Sequence, residues 1–487
     1  MVFVPSRYNF VVQGDGPSAA LFNAFSGGLM ILEGRDAGEL GAVLLQPGLK
    51  FAGDEFSPDL LARLRAGGYL VPESRDEVAE IRERFWRARG EAPVVITVTT
   101  TMDCNLACYY CYEERSASRL KTGEIDKLVT LALESVAASR RPALHIDWYG
   151  GEPLLNLEFI EKASMALQAA CASKGIAFVS SIISNGSLWP DDVESFIARH
   201  RVRQVQISFD GLKAHHDKRR RYRRLHRPTG GSAQPSSFDR AVALVDRLVT
   251  CVRVDLRFNV DRENLEDLLP FLDFARSRHW FDADFPAVFQ PARLAAYSQS
   301  SSFMRPLELT IAEFDDARAQ VRKNTGGIAA VEESEVPDGF PYPKTTVCAA
   351  LADHSAVLGA DGSIYRCGLQ VGEQGRAVGN LHDNSPSRRK GASVLNSKDG
   401  EWWQSFDPTQ QPTCSSCSFL PICWGGCPKK HLEQDQHSLR EQGRYWRSNL
   451  PRLIAQAAGF ASGPRDTEFS EAVQFRISTD SVDEPRC

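Results

Sequence analysis

From Val94 onward, short apolar runs alternate with stretches whose apolar residues recur every three to four positions. The runs Val94–Val98, Leu144–Trp148, Phe178–Ile183, Val205–Phe209, Val254–Phe258 and Val288–Gln290 read as strands, being short and rich in β-branched and aromatic residues. Amphipathic helices are predicted between them near 121–138, 157–173, 190–199, 238–249 and 264–277. Regular alternation of this kind demands parallel strands with right-handed crossovers. Six units predict an α/β fold, a partial (β/α)6 TIM-like barrel over residues 91–325, with its site at the strand C-termini.

Residues 1–90 follow another pattern. Asn9–Val12 and Ala20–Asn23 read as strands, 37–45 and 58–66 as helices, and Gly67–Val71 as a returning strand. This predicts a small α+β, winged-helix-like module, joined to the barrel by a charged helix at 74–88. The stretch Pro228–Ser237 reads as a loop interrupting one βα unit. After about residue 340 the alternation stops and cysteines with Gly-rich turns take over, predicting a third, cluster-held domain over 340–450. The tail 464–487 has no firm periodicity and reads as poorly ordered. No internal repeat is evident.

Composition narrows the partners. A chain of 487 residues with 43% hydrophobic and 24% charged residues suits a soluble multidomain enzyme. Its net charge of −5 argues against a nucleic-acid partner. The basic run from Lys218 to Arg227 reads as a solvated loop or helix face. No apolar stretch approaches the ~18 residues needed to cross a bilayer, and the N-terminus lacks a signal-peptide pattern, so a cytoplasmic protein with no membrane partner is expected. Nine of the twelve cysteines fall in two tight groups, which in a reducing compartment argues for metal or cluster ligation.

The first group is Cys104, Cys108 and Cys111, directly behind the first barrel strand. Three thiolates on one loop can hold three irons of a four-iron cluster and leave the fourth iron open to a small molecule. A structural zinc loop is the alternative, but zinc usually takes a fourth protein ligand nearby, and no Cys or His lies within the next twenty residues.

With Tyr110 before its last cysteine, this loop resembles that of the radical S-adenosylmethionine (SAM) superfamily. Gly150-Gly151-Glu152-Pro153, after the second strand, is similar to the family segment that receives the methionine amino group. Two glycines admit close backbone approach of a ligand, and Glu152 is an acceptor for an ammonium. Ser184-Asn185-Gly186 and Ser208-Phe-Asp210-Gly211 follow the third and fourth strands. By resemblance, Ser208 and Arg220 would hold the methionine carboxylate, with Ser184 and Asn185 facing the ribose or the neighbouring methionine moiety; Arg219 and Arg221 are expected in solvent. A guanidinium fork suits a carboxylate. The resemblance implies that SAM chelates the open iron, that the reduced cluster breaks its sulfonium C–S bond, and that the 5′-deoxyadenosyl radical takes hydrogen from substrate.

The second group, Cys348, Cys367, Cys414, Cys417, Cys423 and Cys427, resembles the SPASM domain of peptide-modifying members, which holds two auxiliary four-iron clusters. That pattern would assign Cys348, Cys367 and Cys427 to the first and Cys414, Cys417 and Cys423 to the second, with zinc on the last four cysteines as the alternative. The usual seventh cysteine is missing; His431, Asp435, His437, Glu441 and the distant Cys487 are its possible replacements. The first auxiliary cluster also shows only three ligands.

The leading expectation is a maturase acting on a ribosomally made precursor peptide, forming a thioether or carbon–carbon crosslink and fed by a reductant such as flavodoxin or ferredoxin. Many relatives clamp a peptide leader with such an N-terminal module, so leader binding is one expectation for residues 1–90 and a packing or dimer role the other. An anaerobic sulfatase-maturing enzyme, forming formylglycine, is the runner-up; those enzymes have an Asp proposed as base directly after the cysteine matching Cys367, where this chain has Gly368. A non-catalytic iron–sulfur or zinc protein that binds peptides is the third reading. No residue of this chain is assigned as the catalytic base.

Overall fold

The computed structural model describes the chain except residues 15–16, 35–36, 114, 140, 227–234, 297–300, 326–339, 374, 384–396 and 461–487. The chain divides into two compact units. One comprises residues 1–89, the segment up to Cys348 and the chain from Ser405; the other comprises Gly90 through the barrel and Ala349–Gln404. The region expected as one cysteine-rich domain is thus shared between them. Most of the Pro228–Ser237 loop, the 464–487 tail and Cys487 lie outside the described residues.

In the first unit, strands β1 (Val2–Pro5), β2 (Asn9–Gln13), β3 (Ala19–Asn23), β4 (Leu29–Leu32), β5 (Phe51–Ala52) and β6 (Leu70–Pro72) form two antiparallel sheets, ordered β5-β1-β6 and β2-β3-β4. Helices Ala37–Leu44 and Pro58–Ala66 lie between strands. The second begins with Ser57 capping the Leu60 N–H at 3.4 Å and Pro58 at its first position, where a missing N–H costs nothing. Phe3, Val11, Leu21, Leu44, Leu64 and Tyr69 share a buried core. Each such side chain contributes about 1.5–3 kcal/mol of transfer free energy. Inside it, the Asn9 amide donates to the carbonyls of Leu44 and Tyr69, each at 2.9 Å, satisfying backbone groups that burial would otherwise orphan.

The second unit is built on six parallel strands, β7 (Val94–Thr99), β8 (Ala143–Tyr149), β9 (Ala177–Ser184), β10 (Val202–Phe209), β11 (Arg253–Val260) and β12 (Val288–Arg293), adjacent in chain order. These are the six strands the sequence pattern predicts. The sheet then continues beyond β7 through β13 (Ala356–Leu358), parallel to it with Ala356 opposite Ile96 and Leu358 opposite Val98, and through antiparallel β14 (Ser363–Tyr365) and β15 (Gly379–Asn380). The result is a nine-stranded sheet that reaches past the expected barrel boundary.

Alternation along the strands sorts the two faces. Ile96, Ile146, Trp148, Ile182, Val205, Ile207 and Leu256 are buried. The intervening positions are polar and bond across strands: Ser181 donates to Asp147, and Gln204 and Gln290 to Asp255, the latter at 2.9 Å. Parallel strands covered on both faces are ordinarily apolar throughout. A polar lining with its charges paired instead suits a barrel whose interior accepts a polar ligand.

Candidate active site

The cysteine loop leaves β7 and is fastened on three sides at the C-terminal ends of the strands. Backbone bonds run from Ala107 N–H to the Arg221 carbonyl (2.8 Å) and from Arg223 N–H to the Asn105 carbonyl (2.9 Å), so the loop pairs with the segment after Arg220. The Gly151 N–H donates to the Thr101 carbonyl at 3.0 Å and the Glu152 N–H to the Asp103 carbonyl at 2.9 Å. The third side is the Asn185 amide, which donates to Asn105 Oδ1 at 2.8 Å and lies 3.9 Å from Cys104 Sγ.

Gly150 and Gly151 therefore serve the loop rather than only a ligand. A Cβ on Gly150 would stand 2.3 Å from the Thr101 oxygen, and one on Gly151 2.4 Å from the Asp103 oxygen. Gly150 also has φ +140°, a conformation strained for any other residue.

Glu152 is fully buried, and Pro153 behind it starts a short 3-10 turn. Its carboxylate accepts from the Asn185 N–H (2.8 Å), the Ser184 hydroxyl (3.0 Å) and the Leu154 N–H (3.3 Å). Burial pushes its pKa up to about 7, against these bonds and the nearby Arg220 cation. A carboxylate has about four acceptor positions, so room for one further donor remains. Ser184 and Asn185 thus brace Glu152 and the cysteine loop. Ser187, which the sequence reading omitted, continues the chain by accepting from the Asn105 amide at 2.8 Å.

Opposite lies a buried charge network around Asp210. Tyr110 OH donates to Asp210 Oδ1 at 2.8 Å, and Arg220 Nη1 lies 2.6 Å from that hydroxyl and 3.3 Å from Asp210 Oδ1. Among the described residues the buried Arg220 Nε has no partner. Arg219, expected in solvent, is buried instead: it pairs with Asp210 at 3.2 Å, with both oxygens of Asp261 and with Glu263 at 3.4 Å, under the rings of Tyr109 and Tyr110. Against the desolvation of burial, these carboxylates hold its pKa above the ordinary arginine value. Arg221 is exposed as expected. Ser208 is half-buried on the polar face of β10, in register with Arg257 of β11. Asp261, Glu263 and Asn264 went unnoticed in the sequence, although they follow β11 as the other polar groups follow β8, β9 and β10.

Burial raises all three loop thiols, Cys104 to about 12 and Cys111 to about 11, with Cys108 moved in the same direction; Arg220 opposes this at Cys104 and Cys108. Three clustered buried thiols need cationic compensation to become thiolates, and the irons of a cluster supply it. The loop therefore fits a four-iron cluster. Each thiolate of a cluster binds a different iron, so the three need not converge as ligands of one ion do. Among the described residues no three Cys, His, Asp or Glu converge that closely.

The second cysteine group divides between the units. Cys348, Cys414, Cys417, Cys423 and Cys427 belong to the first unit and Cys367 to the second. None of the described cysteines is in a disulfide. The Cys417 N–H donates to the Cys414 carbonyl at 3.0 Å, closing a tight turn. Trp424, Gly425 and Gly426 then take φ of +49°, +74° and +78°, reversing the chain toward Cys414. The buried Trp424 ring, edge-on to Phe85 at 5.4 Å, holds its own strained backbone in place.

Residues 98–275 match the family model of the Radical SAM superfamily. The chain is 25% identical over 374 residues to a serine-type anaerobic sulfatase-maturating enzyme of Klebsiella aerogenes, covering 71% of this chain and 81% of that protein. It is 24% identical over 351 residues to the PqqA peptide cyclase of Rhodopseudomonas palustris, covering 69% and 82%. Among solved structures, native anSMEcpe with bound AdoMet is similar in fold, with a TM-score of 0.52 at 18% identity over 75% of this chain and 100% of that one. Fold and loop define an iron–sulfur enzyme on a partial barrel. Residues 98–275 thus form a radical SAM domain, and that family uses a [4Fe-4S] cluster and SAM. Among the described residues no helix is long and apolar enough to cross a membrane.

Proposed function

We propose that this enzyme is a peptide maturase that abstracts hydrogen from a ribosomally made precursor and forms a thioether, a carbon–carbon crosslink or a related bond. The observation that supports the reading is the joint fastening of the Cys104–Cys111 loop to Glu152, Asn185 and the Arg220–Asp210–Tyr110 network, which gathers at one barrel mouth residues of the kinds a cluster and SAM would need. When bound, cluster and SAM supply a 5′-deoxyadenosyl radical, and the chemistry is theirs. The protein's residues position them: Glu152 keeps one acceptor site for the methionine ammonium, Arg220 and Ser208 receive its carboxylate, and Tyr110 and Asp210 fix the Arg220 fork.

Cys348, Cys367 and Cys427 would hold a first auxiliary cluster and Cys414, Cys417 and Cys423 a second. Residues 1–90 suit leader binding, because β4 pairs only with β3 among the described strands and its other edge offers backbone groups to an extended peptide. A flavodoxin or ferredoxin would supply the electron.

Formylglycine formation is the second reading, favoured by the likeness to sulfatase-maturating enzymes. Gly368 provides no carboxylate after Cys367, which keeps it second. Co-expression with a short Cys-rich or repetitive peptide encoded nearby, followed by mass spectrometry, tests the choice. Loss of two hydrogens per linkage supports the maturase; an unmodified peptide together with an aldehyde on a sulfatase motif overturns it.

A further inference from the structure

We infer that His431 closes the second auxiliary cluster, binding iron beside Cys414, Cys417 and Cys423 in place of the absent seventh cysteine. This rests on reading that cysteine group as a cluster site.

Of the four candidate replacements among the described residues, the structure separates one from the rest. Asp435 is engaged as a helix cap: its carboxylate accepts from the Ser438 N–H (3.1 Å), the Ser438 hydroxyl (2.8 Å) and Lys430 (2.9 Å). Glu441 pairs with Arg444 at 2.6 Å at the surface, and His437 is exposed. Cys487 lies outside the described residues. His431 is half-buried on the short helix Pro428–Leu432, its ring 5.3 Å from that of Phe406.

Two features of His431 match a ligand. Its Nε2 lies 2.7 Å from the Gly425 carbonyl, an acceptor only, so Nε2 carries the proton and Nδ1 keeps its lone pair. Metal-binding histidines are ordinarily fixed in this way, one ring nitrogen donating to a carbonyl while the other takes the metal. The second feature is the space at Gly425. A Cβ there would stand 3.5 Å from His431 Nε2 and 3.6 Å from Cys414 Sγ, so the carbonyl-bonded edge of the ring and the thiol flank the same residue, a glycine with φ +74°. Imidazole suits iron as thiolate does. With no net charge, it makes the cluster one unit more positive than four thiolates would.

The test uses the full chain carrying Cys104→Ala, Cys108→Ala and Cys111→Ala, reconstituted anaerobically with iron and sulfide and reduced, so that only auxiliary clusters give signals. Pulsed EPR should show nitrogen coupling that changes to the ¹⁵N pattern on ¹⁵N-histidine labelling. His431→Cys should keep the iron content and lose the coupling, and His431→Ala should lose it as well. Coupling that persists in both variants, or no histidine coupling at all, overturns the inference. Adding Cys414→Ala and Cys417→Ala separates the two claims: iron lost on that change without histidine coupling overturns the ligand alone, and no loss of iron overturns the second cluster and its ligand together.

Discussion

Arg219 and Asp261 form a buried two-point ion pair, with Nη1 3.1 Å from Oδ1 and Nη2 2.8 Å from Oδ2. The pair ties the segment before Arg220 to the end of β11. Because Arg219 also holds Asp210, it sets the anchor against which the Arg220 fork is aligned. Removing the cation leaves Asp210 and Asp261 buried without it, a loss of about 3–5 kcal/mol. Arg219→Ala should therefore lower the urea midpoint sharply. Arg219→Lys should remain folded yet bind SAM more weakly, because an ammonium cannot span both Asp261 oxygens. Equal SAM affinity in Arg219→Lys and the parent would show that the pair does not position Arg220.

Gly150→Ala tests the fastening of the cysteine loop. The added Cβ meets the Thr101 oxygen, so the loop must shift, and displacement of this size near reacting groups costs on the order of 10²-fold in rate. Gly123→Ala, with open space around its Cβ, should leave SAM cleavage unchanged. Measured deoxyadenosine rates that are alike for the two variants would contradict the account.

His200 gives the barrel unit an acid sensitivity. It is buried against Phe196, its Nδ1 has no partner among the described residues, and burial, helped by Arg199, lowers its pKa to about 4. In the unfolded chain the ring takes a proton near pH 6.5, so the unfolded state binds more protons between pH 6.5 and 4. The stability contributed by neutral His200 is thus whole above 6.5 and lost as pH falls through this window, by no more than about 3 kcal/mol. Denaturant midpoints measured from pH 7 to pH 4.5 should fall less in His200→Phe than in the parent; parallel curves would contradict this.

The two cysteine groups should separate cleavage from product. Cys414→Ala is expected to retain some SAM cleavage, uncoupled from substrate, while losing modified peptide, since Cys104, Cys108 and Cys111 are untouched. Deoxyadenosine and peptide mass measured on one sample check this; a full yield of modified peptide would remove Cys414 from the function.

Much of this architecture was legible because strand and helix periodicities differ and each polar motif sits just past an apolar run. The six barrel strands and the places of Glu152, Asn185 and Asp210 follow from that rule, whereas Arg220, beyond the helix Lys213–Arg219, is reached only through the family resemblance. Arg219 was misjudged because a basic run looks solvated until its partners are known, and Asp261 and Glu263 lie far from it in sequence. That Gly150-Gly151 packs against the cysteine loop is not legible in one sequence, because nothing local shows that another loop approaches so closely. Strand β13 was missed because three residues carry little periodicity, and its pairing with β7 is purely tertiary.

The most direct test of the central claim is 5′-deoxyadenosine formation by the anaerobically reconstituted chain with SAM and a strong reductant, alongside its iron, sulfide and zinc content. The expected result is an iron–sulfur protein that forms deoxyadenosine, and a Cys108→Ala variant that forms none. A zinc-filled protein without deoxyadenosine, or full turnover by Cys108→Ala, would contradict it.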